Sequence, residues 1–333
     1  MCRMSTLFQA LQAEKNADDV SVHVKTISTE DLPKDGVLIK VAYSGINYKD
    51  GLAGKAGGNI VREYPLILGI DAAGTVVSSN DPRFAEGDEV IATSYELGVS
   101  RDGGLSEYAS VPGDWLVPLP QNLSLKEAMV YGTAGFTAAL SVHRLEQNGL
   151  SPEKGSVLVT GATGGVGGIA VSMLNKRGYD VVASTGNREA ADYLKQLGAS
   201  EVISREDVYD GTLKALSKQQ WQGAVDPVGG KQLASLLSKI QYGGSVAVSG
   251  LTGGGEVPAT VYPFILRGVS LLGIDSVYCP MDVRAAVWER MSSDLKPDQL
   301  LTIVDREVSL EETPGALKDI LQNRIQGRVI VKL

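Results

Sequence analysis

Val157-Leu158-Val159 is a short apolar run, and Thr160-Gly161-Ala162-Thr163-Gly164-Gly165-Val166-Gly167 follows it at once. The run reads as a buried strand, and from Gly165 the apolar residues recur with a helical period. A turn bare of side chains before a helix N-terminus leaves backbone N–H groups free for a pair of phosphates. Gly161, Gly164 and Gly167 stand three apart, and Gly167 with Gly168 would let the helix approach the strand closely. Alone, such a turn is equally an ordinary tight connection. Here it follows a strand, opens a helix and begins a strand–helix–strand run, so it reads as a dinucleotide-binding turn whose contacts are Thr163, Gly164, Gly165 and Val166.

The rest of the chain is arranged around that turn. Before about residue 120 lie short β-like runs, Val37–Tyr43, Thr75–Ser78, Glu89–Thr93 and Ser106–Val111, punctuated by Gly and Pro. That pattern suggests an antiparallel, barrel-like unit. Ser124-Leu125-Lys126-Glu127 reads as a capping box, and a further helix is expected from Thr137 to Asn148. Strands at 156–160, 180–184, 201–203, 223–226, 244–249 and 269–273 then alternate with helices at 165–177 and 188–197. This is the signature of an α/β fold with a doubly wound parallel sheet of the Rossmann type. After it come two amphipathic helices, near 281–292 and 310–322, and a closing apolar strand, 328–333. The expected division is 1–125 for a β-rich catalytic domain, 126–274 for the dinucleotide-binding domain, and 275–333 returning to complete the first.

Composition removes several classes of function. A formal net charge of −8 argues against a general nucleic-acid binder. No apolar run approaches the ~18 residues that span a bilayer, and the first residues lack the apolar stretch of a secretion signal, so a cytoplasmic protein is expected. Two cysteines, Cys2 and Cys279, and two histidines, His23 and His143, offer neither a disulfide framework nor a usual zinc site. His143 falls in an apolar helix, where a packing role suffices.

The end of the second strand bears on the cofactor. NAD-binding units usually place Asp or Glu there to bond the ribose hydroxyls. In this chain Thr185, Gly186, Asn187 and Arg188 occupy that stretch, and the next acid is Glu189. Hydroxyl, amide and guanidinium groups suit a 2′-phosphate, which favours NADPH. If Arg188 only begins the next helix, NADH stays usable.

In chain order, Ser44-Gly45-Ile46-Asn47-Tyr48-Lys49-Asp50, Gly69-Ile70-Asp71-Ala72-Ala73-Gly74, Gly87-Asp88-Glu89-Val90, the Gly-rich turn and Gly327-Arg328-Val329-Ile330 span nearly the whole sequence. With these landmarks the chain resembles the medium-chain dehydrogenase/reductase superfamily, which implies a GroES-like catalytic domain beside the Rossmann domain. Zinc members of that superfamily carry a cysteine where this chain has Ser44, a His-Glu pair at Ile70-Asp71 and a third ligand near Thr133. The replacements imply a zinc-free branch. Asn47 to Asp50, Gly69 to Asp71, and Arg267-Gly268-Val269 with Gly273-Ile274-Asp275-Ser276 look like the YhdH/YhfP group of quinone oxidoreductases, which includes acrylyl-CoA reductases.

Without a metal, hydride transfer to an activated alkene or a quinone is more plausible than alcohol oxidation. The resemblance makes Asn47 and Tyr48 candidate donors near the nicotinamide, and Asp71 a candidate to orient substrate or relay a proton. Each also has a plain role available: a turn cap for Asn47, a packed aromatic for Tyr48, an amide acceptor for Asp71. Lys49 and Asp50 read as an ion pair or exposed charges. Thr133 and Thr137 could touch the nicotinamide, or either could cap the helix. Asp226-Pro227-Val228-Gly229-Gly230 and Ser249-Gly250-Leu251-Thr252-Gly253 follow later strands and should face the cofactor, as should Ile274 and Ser276, with Leu251 the favoured contact. Lys55, Arg62 and Arg101 could meet the phosphates of a CoA substrate, or be solvated surface charge. The last strand would lie at the sheet edge, where superfamily members pair, so a homodimer is expected. A short-chain reductase is disfavoured, because none of the 12 tyrosines is followed by Lys four residues on. A non-catalytic NADPH-binding sensor and a quinone reductase stay open beside reduction of a short enoyl thioester such as acrylyl-CoA.

Overall fold

The structure is a computed structural model that describes residues 5–17 and 19–333; Cys2 lies outside the described residues. The chain divides into two compact units. One holds everything up to Thr133, together with Val277–Ala285 and Val304–Leu333; the other holds Ala134–Ser276 and Ala286–Ile303.

Among the described residues the first unit contains two sheets. The larger runs Val304–Val308, Arg328–Lys332, Val37–Gly45, Asp71–Ser78, Glu89–Thr93, Leu116–Pro118, and Tyr108–Val111 also pairs with Val37–Gly45. Its pairings are antiparallel except that of the two C-terminal strands. Ile39, Val41, Ala72, Val76, Val90 and Leu116 form one core of this unit. Burying each of the larger aliphatic side chains is worth roughly 1.5–3 kcal/mol. The smaller sheet orders Asp19–Ser28, Leu7–Asn16 and Leu66–Ile67. Leu7–Asn16 (LFQALQAEKN) is rich in good helix formers, and its strand state comes from pairing with Asp19–Ser28 rather than from local propensity.

The second unit carries a six-stranded parallel sheet in the order Glu201–Ser204, Val181–Thr185, Val157–Val159, Trp221–Asp226, Ile240–Val248, Ser270–Gly273. Val157–Val159 and Val181–Thr185 are buried throughout, as strands covered on both faces require. Because all six strands run one way, the loops that leave their C-terminal ends share one edge of the sheet. The chain order reverses direction at Val157–Val159, which places the Gly-rich turn at the switch point.

The helix expected from the Ser124 box is present: Glu127 Oε2 accepts from Ser124 N at 2.9 Å, and Ser124 Oγ accepts from Glu127 N at 3.2 Å. It runs as Leu125–Gln147, broken at Gly132, whose φ of 49° and ψ of −153° are not helical. The unit boundary falls just after this break, at Thr133, rather than at residue 125. Val130, by accepting from Arg328 Nε at 3.1 Å, ties the first turns to the C-terminal strand. The tail also departs from expectation. Residues 286–303 belong to the second unit, because Val287, Trp288 and Met291 are buried there and Trp288 stacks on Phe136 at 6.3 Å. No helix among the described residues is long and apolar enough to cross a membrane.

Candidate functional site

In the first unit, Ser44, Asn47 and Thr133 meet around Asp71, and Tyr48 is not among its partners. Asp71 begins the strand Asp71–Ser78 and is fully buried. Its Oδ2 accepts from Asn47 Nδ2 at 2.7 Å and from Thr133 N at 2.9 Å, and its Oδ1 accepts from Thr133 Oγ1 at 2.5 Å. Ser44 Oγ donates to the Asp71 carbonyl at 2.7 Å, and Ser94 Oγ lies 2.9 Å from Thr133 Oγ1. Thr133 N reaches Asp71 because the helix breaks at Gly132. A Cβ at Gly132 would stand 2.4 Å from Asp71 Oδ2 and 2.9 Å from Arg328 Nη2, so this position needs both the positive φ and the missing side chain.

Arg328 completes the group from the other end of the chain. Its Nη1 donates to Ile46 O at 2.9 Å and to Asn47 Oδ1 at 3.1 Å, and its Nη2 lies 3.8 Å from Asp71 Oδ2. Burial lowers the Arg328 pKa, against the pull of Asp71 and Asp50. Asp50 departs from the sequence reading, since it is neither exposed nor paired with Lys49. It is fully buried, and its carboxylate accepts from Asn47 N at 2.8 Å and Ile70 N at 3.0 Å. Burial, and then the nearby Asp71, push its pKa up to about 7. Asn47 is the N-cap of the helix Tyr48–Ala53, and its side chain also joins Asp71 to Arg328. Tyr48, 44% exposed, stands at the first position of that helix.

These residues do not fit zinc. Ile70 has no donor atom, Ser44 and Thr133 spend their hydroxyl hydrogens on Asp71, and the one carboxylate has a guanidinium beside it. Among the described residues no three His, Cys, Asp or Glu side chains gather in a metal-binding group. Arg101 is also committed elsewhere: Nη2 and Nη1 pair with Asp35 at 2.7 and 3.2 Å, and Nε donates to Ser110 O at 3.0 Å.

In the second unit the turn after Val157–Val159 enters the helix Gly165–Lys176 with Gly164 as its N-cap. A Cβ on Gly167 would come within 2.4 Å of Gly161 O, so the first helical turn lies directly on the strand exit. Thr163, Gly164, Gly165 and Val166 are half-buried. The loop after Trp221–Asp226 packs beside them: Thr160 Oγ1 donates to Asp226 Oδ1 at 2.5 Å, and Asp226 Oδ2 accepts from Gly229 N at 2.8 Å. Burial pushes the Asp226 pKa up, against both bonds. The next loop closes on this one through Gly253 N and Val228 O at 2.8 Å, and it leaves Leu251 exposed. Thr185 is buried, and its Oγ1 accepts from Asn187 N at 3.0 Å; Asn187 Oδ1 accepts from Glu189 N at 3.1 Å. Gly186, Asn187 and Arg188 are exposed. Thr137 Oγ1 donates to Ser276 Oγ at 2.8 Å, and Ile274 N donates to Val248 O at 3.0 Å, so Thr137 with Ser276 forms one pair and Ile274 extends the sheet.

Several participants carried no local signal. Arg328 is separated from Asp71 by almost the whole chain, and Asp50 and Thr160 look like ordinary polar residues beside a helix or a strand. The Arg205 guanidinium lies against Gly186, within 2.5 Å of where a Cβ would be.

Residues 33–121 match the alcohol dehydrogenase GroES-like domain, and residues 165–293 match the zinc-binding dehydrogenase family. The acrylyl-CoA reductase of Ruegeria pomeroyi is 48% identical over 327 residues, covering 98% of this chain and 99% of that protein. Escherichia coli K-12 YhdH, crystallised with bound NADPH, superposes with a TM-score of 0.94 at 47% identity, covering 97% of this chain and 99% of that one. The YhdH oxidoreductase of Salmonella enterica, in complex with NADP, gives 0.95 at 46% identity over 98% and 99% of the two chains. Proteins named quinone oxidoreductase are more distant, as in Sus scrofa at 27% identity over 91% of each chain. The GroES-like and dehydrogenase matches and this near-half identity over the full length agree, and the chain belongs to the acrylyl-CoA reductase family of the medium-chain dehydrogenase/reductase superfamily.

Proposed function

We propose that the chain is an NADPH-dependent, metal-free reductase of short enoyl thioesters, with acrylyl-CoA as its representative substrate. The observation that carries this reading is the 48% identity, over 98% of the chain, with the acrylyl-CoA reductase of Ruegeria pomeroyi. Thr163, Gly164, Gly165 and Val166 would hold the diphosphate of NADPH, and Thr185, Gly186, Asn187 and Arg188 the adenosine ribose with its 2′-phosphate. Thr137, Leu251, Ile274 and Ser276 are proposed contacts to the remainder, and Tyr48 a contact from the catalytic domain. When bound, the cofactor supplies a hydride, two electrons at once, for the β-carbon of the alkene.

The chain's own groups then have two tasks. Negative charge that develops on the thioester oxygen needs a donor, and the α-carbon needs a proton. Asn47 uses one Nδ2 hydrogen on Asp71; the other is proposed to meet the substrate oxygen. Asp71 receives only donors, from Asn47 and Thr133. It is therefore proposed to orient the amide rather than to deliver a proton. The exposed Tyr48 phenol is the proposed proton donor to the α-carbon. Hydride and proton together saturate the double bond.

Steady-state kinetics with NADPH, comparing acrylyl-CoA with small quinones, tests the reading. Acrylyl-CoA should have the higher kcat/KM, and Tyr48→Phe should lower kcat by about a hundredfold while NADPH still binds. A much higher efficiency with quinones would establish the second reading, a quinone reductase, which the more distant quinone oxidoreductases favour. Binding of NADPH without turnover of either acceptor would point to a sensor. We further propose a cytoplasmic homodimer formed through the edge strand Ser270–Gly273, where Leu271 is exposed.

A further inference from the structure

In the first unit the Tyr278 side chain stands in solvent, 58% exposed, yet it is fixed from several sides. Its ring meets that of Tyr95 edge-on, 6.5 Å between centroids, and Tyr95 in turn stacks on Trp115 at 5.4 Å. Tyr95 also holds the backbone on either side of Tyr278: its N donates to Val277 O and its Oη to Cys279 O, each at 3.3 Å. The Arg284 guanidinium lies over the Tyr95 ring, 4.5 Å from its centroid, and donates to Val277 O at 3.1 Å. Ser94 and Tyr95 have φ of 64° and 49°, a conformation that residues other than glycine keep where the surrounding contacts over-determine it. The Tyr278 hydroxyl donates to Glu96 Oε1. An aromatic ring held in this way and open to solvent has already lost the freedom that binding would take from it.

Positive charge gathers beside the ring. Lys49 follows Tyr48 in the helix Tyr48–Ala53, and Lys55 and Arg62 come in the stretch after that helix. Among the described residues none of the three enters a hydrogen bond or ion pair. The bonds from Ser100 and Tyr278 hold the Glu96 carboxyl low, and the charges of Arg62 and Lys49 add to this, which sets both cations close by. Glu96 is itself engaged, Oε1 with Tyr278 and Oε2 with Ser100. Asp50 is turned inward to Asn47 N and Ile70 N, so Glu63 is the other accessible acid of this stretch. Three cations against two accessible carboxylates leave the positive sign.

We infer that Tyr278, Lys49 and Arg62 form a subsite for the 3′-phosphoadenosine diphosphate end of a CoA thioester, with the adenine on the Tyr278 ring and the phosphates on the two cations. The inference rests on the substrate reading proposed above and names the residues that recognise the carrier rather than the acyl group. A purine has a flat π-face that stacks on an exposed aromatic ring. Phosphate oxygens accept charge-assisted bonds, paired ones from a guanidinium and single ones from an ammonium. A three-carbon acyl group offers little surface to hold, so affinity for such a substrate has to come from its remote part.

The test uses the full chain with NADP+ at saturation, which keeps the probes out of the cofactor site. In calorimetric titration, CoA and adenosine 3′,5′-bisphosphate should bind, and Tyr278→Ala and the double variant Lys49→Ala with Arg62→Ala should each weaken both by about tenfold or more. Tyr278→Phe keeps the ring and should recover most of the affinity. In turnover with NADPH, the wild-type KM for acrylyl-CoA should lie about tenfold or more below that for acrylyl-pantetheine, and in the variants the two values should converge. Absence of CoA binding to the wild type, or an unchanged CoA affinity in Tyr278→Ala and in the double variant at unchanged Tm, would overturn the inference. If Tyr278→Ala melts early, the double variant decides. Failure of the substrate reading shows differently, as CoA binding through these residues in a protein that reduces neither thioester.

Discussion

A buried carboxylate and a buried guanidinium 3.8 Å apart, Asp71 and Arg328, set the behaviour of the residues around them. Removing one partner leaves the other charge without compensation in an apolar setting, which typically costs 3–5 kcal/mol. Arg328→Met should therefore destabilise by about that amount in urea denaturation, and Asp71→Asn with Arg328→Met together by less than the sum of the singles. Additivity within about 0.5 kcal/mol would show that the charges do not interact. Asp50 gives a prediction with a definite sign. Its pKa is raised from 3.8 to about 7 by burial and by Asp71, so the folded state holds a proton that the unfolded state releases. Its contribution is fully present below pH 4 and is lost as pH rises through 7. Stability should fall over that window with a slope of at most about 1.4 kcal/mol per pH unit, and Asp50→Asn should flatten it. Denaturation midpoints measured from pH 4 to 8 would show this. Little of the cluster was legible in the sequence beyond Asn47 and Asp71 and the replaced zinc positions Ser44 and Thr133. Asn-Tyr-Lys-Asp looks the same whether Asp50 faces solvent or bonds Ile70 N. Nothing near Gly132 announces that its missing Cβ makes room for a carboxylate from residue 71.

At the scale of elements, the strand–turn–helix after Val157 was legible because its determinants are local: a buried run, three spaced glycines and a helical period. Its packing yields a test. Gly167→Ala would place a Cβ 2.4 Å from Gly161 O, so the helix must shift or the turn must open. We expect a loss of about 1–3 kcal/mol in thermal or urea unfolding and at least tenfold weaker NADPH binding by fluorescence titration. Unchanged binding would mean that the turn does not hold the diphosphate. Helix Met281–Met291 was harder to place, because Trp288 and Val287 show an apolar face but not what it meets. It joins helix Leu125–Gln147 through Arg290, which pairs with Glu146 at 2.8 Å and reaches His143 Nδ1 at 3.2 Å. Burial, and then Arg290, lower the His143 pKa, so the folded state favours the neutral ring. The stability it brings is present above about pH 6.5 and is lost as pH falls below that value. His143→Gln should weaken this acid-side loss, visible as a smaller drop in Tm between pH 7 and 5. Leu7–Asn16 shows the opposite limit of local reading: its residues favour a helix, and only pairing over ten positions with Asp19–Ser28 makes it a strand.

For the molecule as a whole, the alternation of strands and helices was enough for an α/β fold with a parallel sheet, whereas the return of the chain was only partly foreseeable. The C-terminal strands Val304–Val308 and Arg328–Lys332 complete the first unit's sheet, but the stretch between the two returning segments, Ala286–Ile303, belongs to the second. If the proposed edge pairing is right, Leu271→Glu should convert a dimer to a monomer in sedimentation velocity with the fold retained; an unchanged dimer would place the interface elsewhere. The Asp71–Arg328 pair also has a consequence for the supply of the protein in a cell. A divalent ion near Asp71 would meet a fixed guanidinium, with repulsion of about 4 kcal/mol per unit of charge at this range. Neither starvation for trace elements nor an excess of copper or nickel should then alter its maturation: chains made under chelation ought to emerge fully folded, and later addition of zinc should leave their melting temperature unmoved.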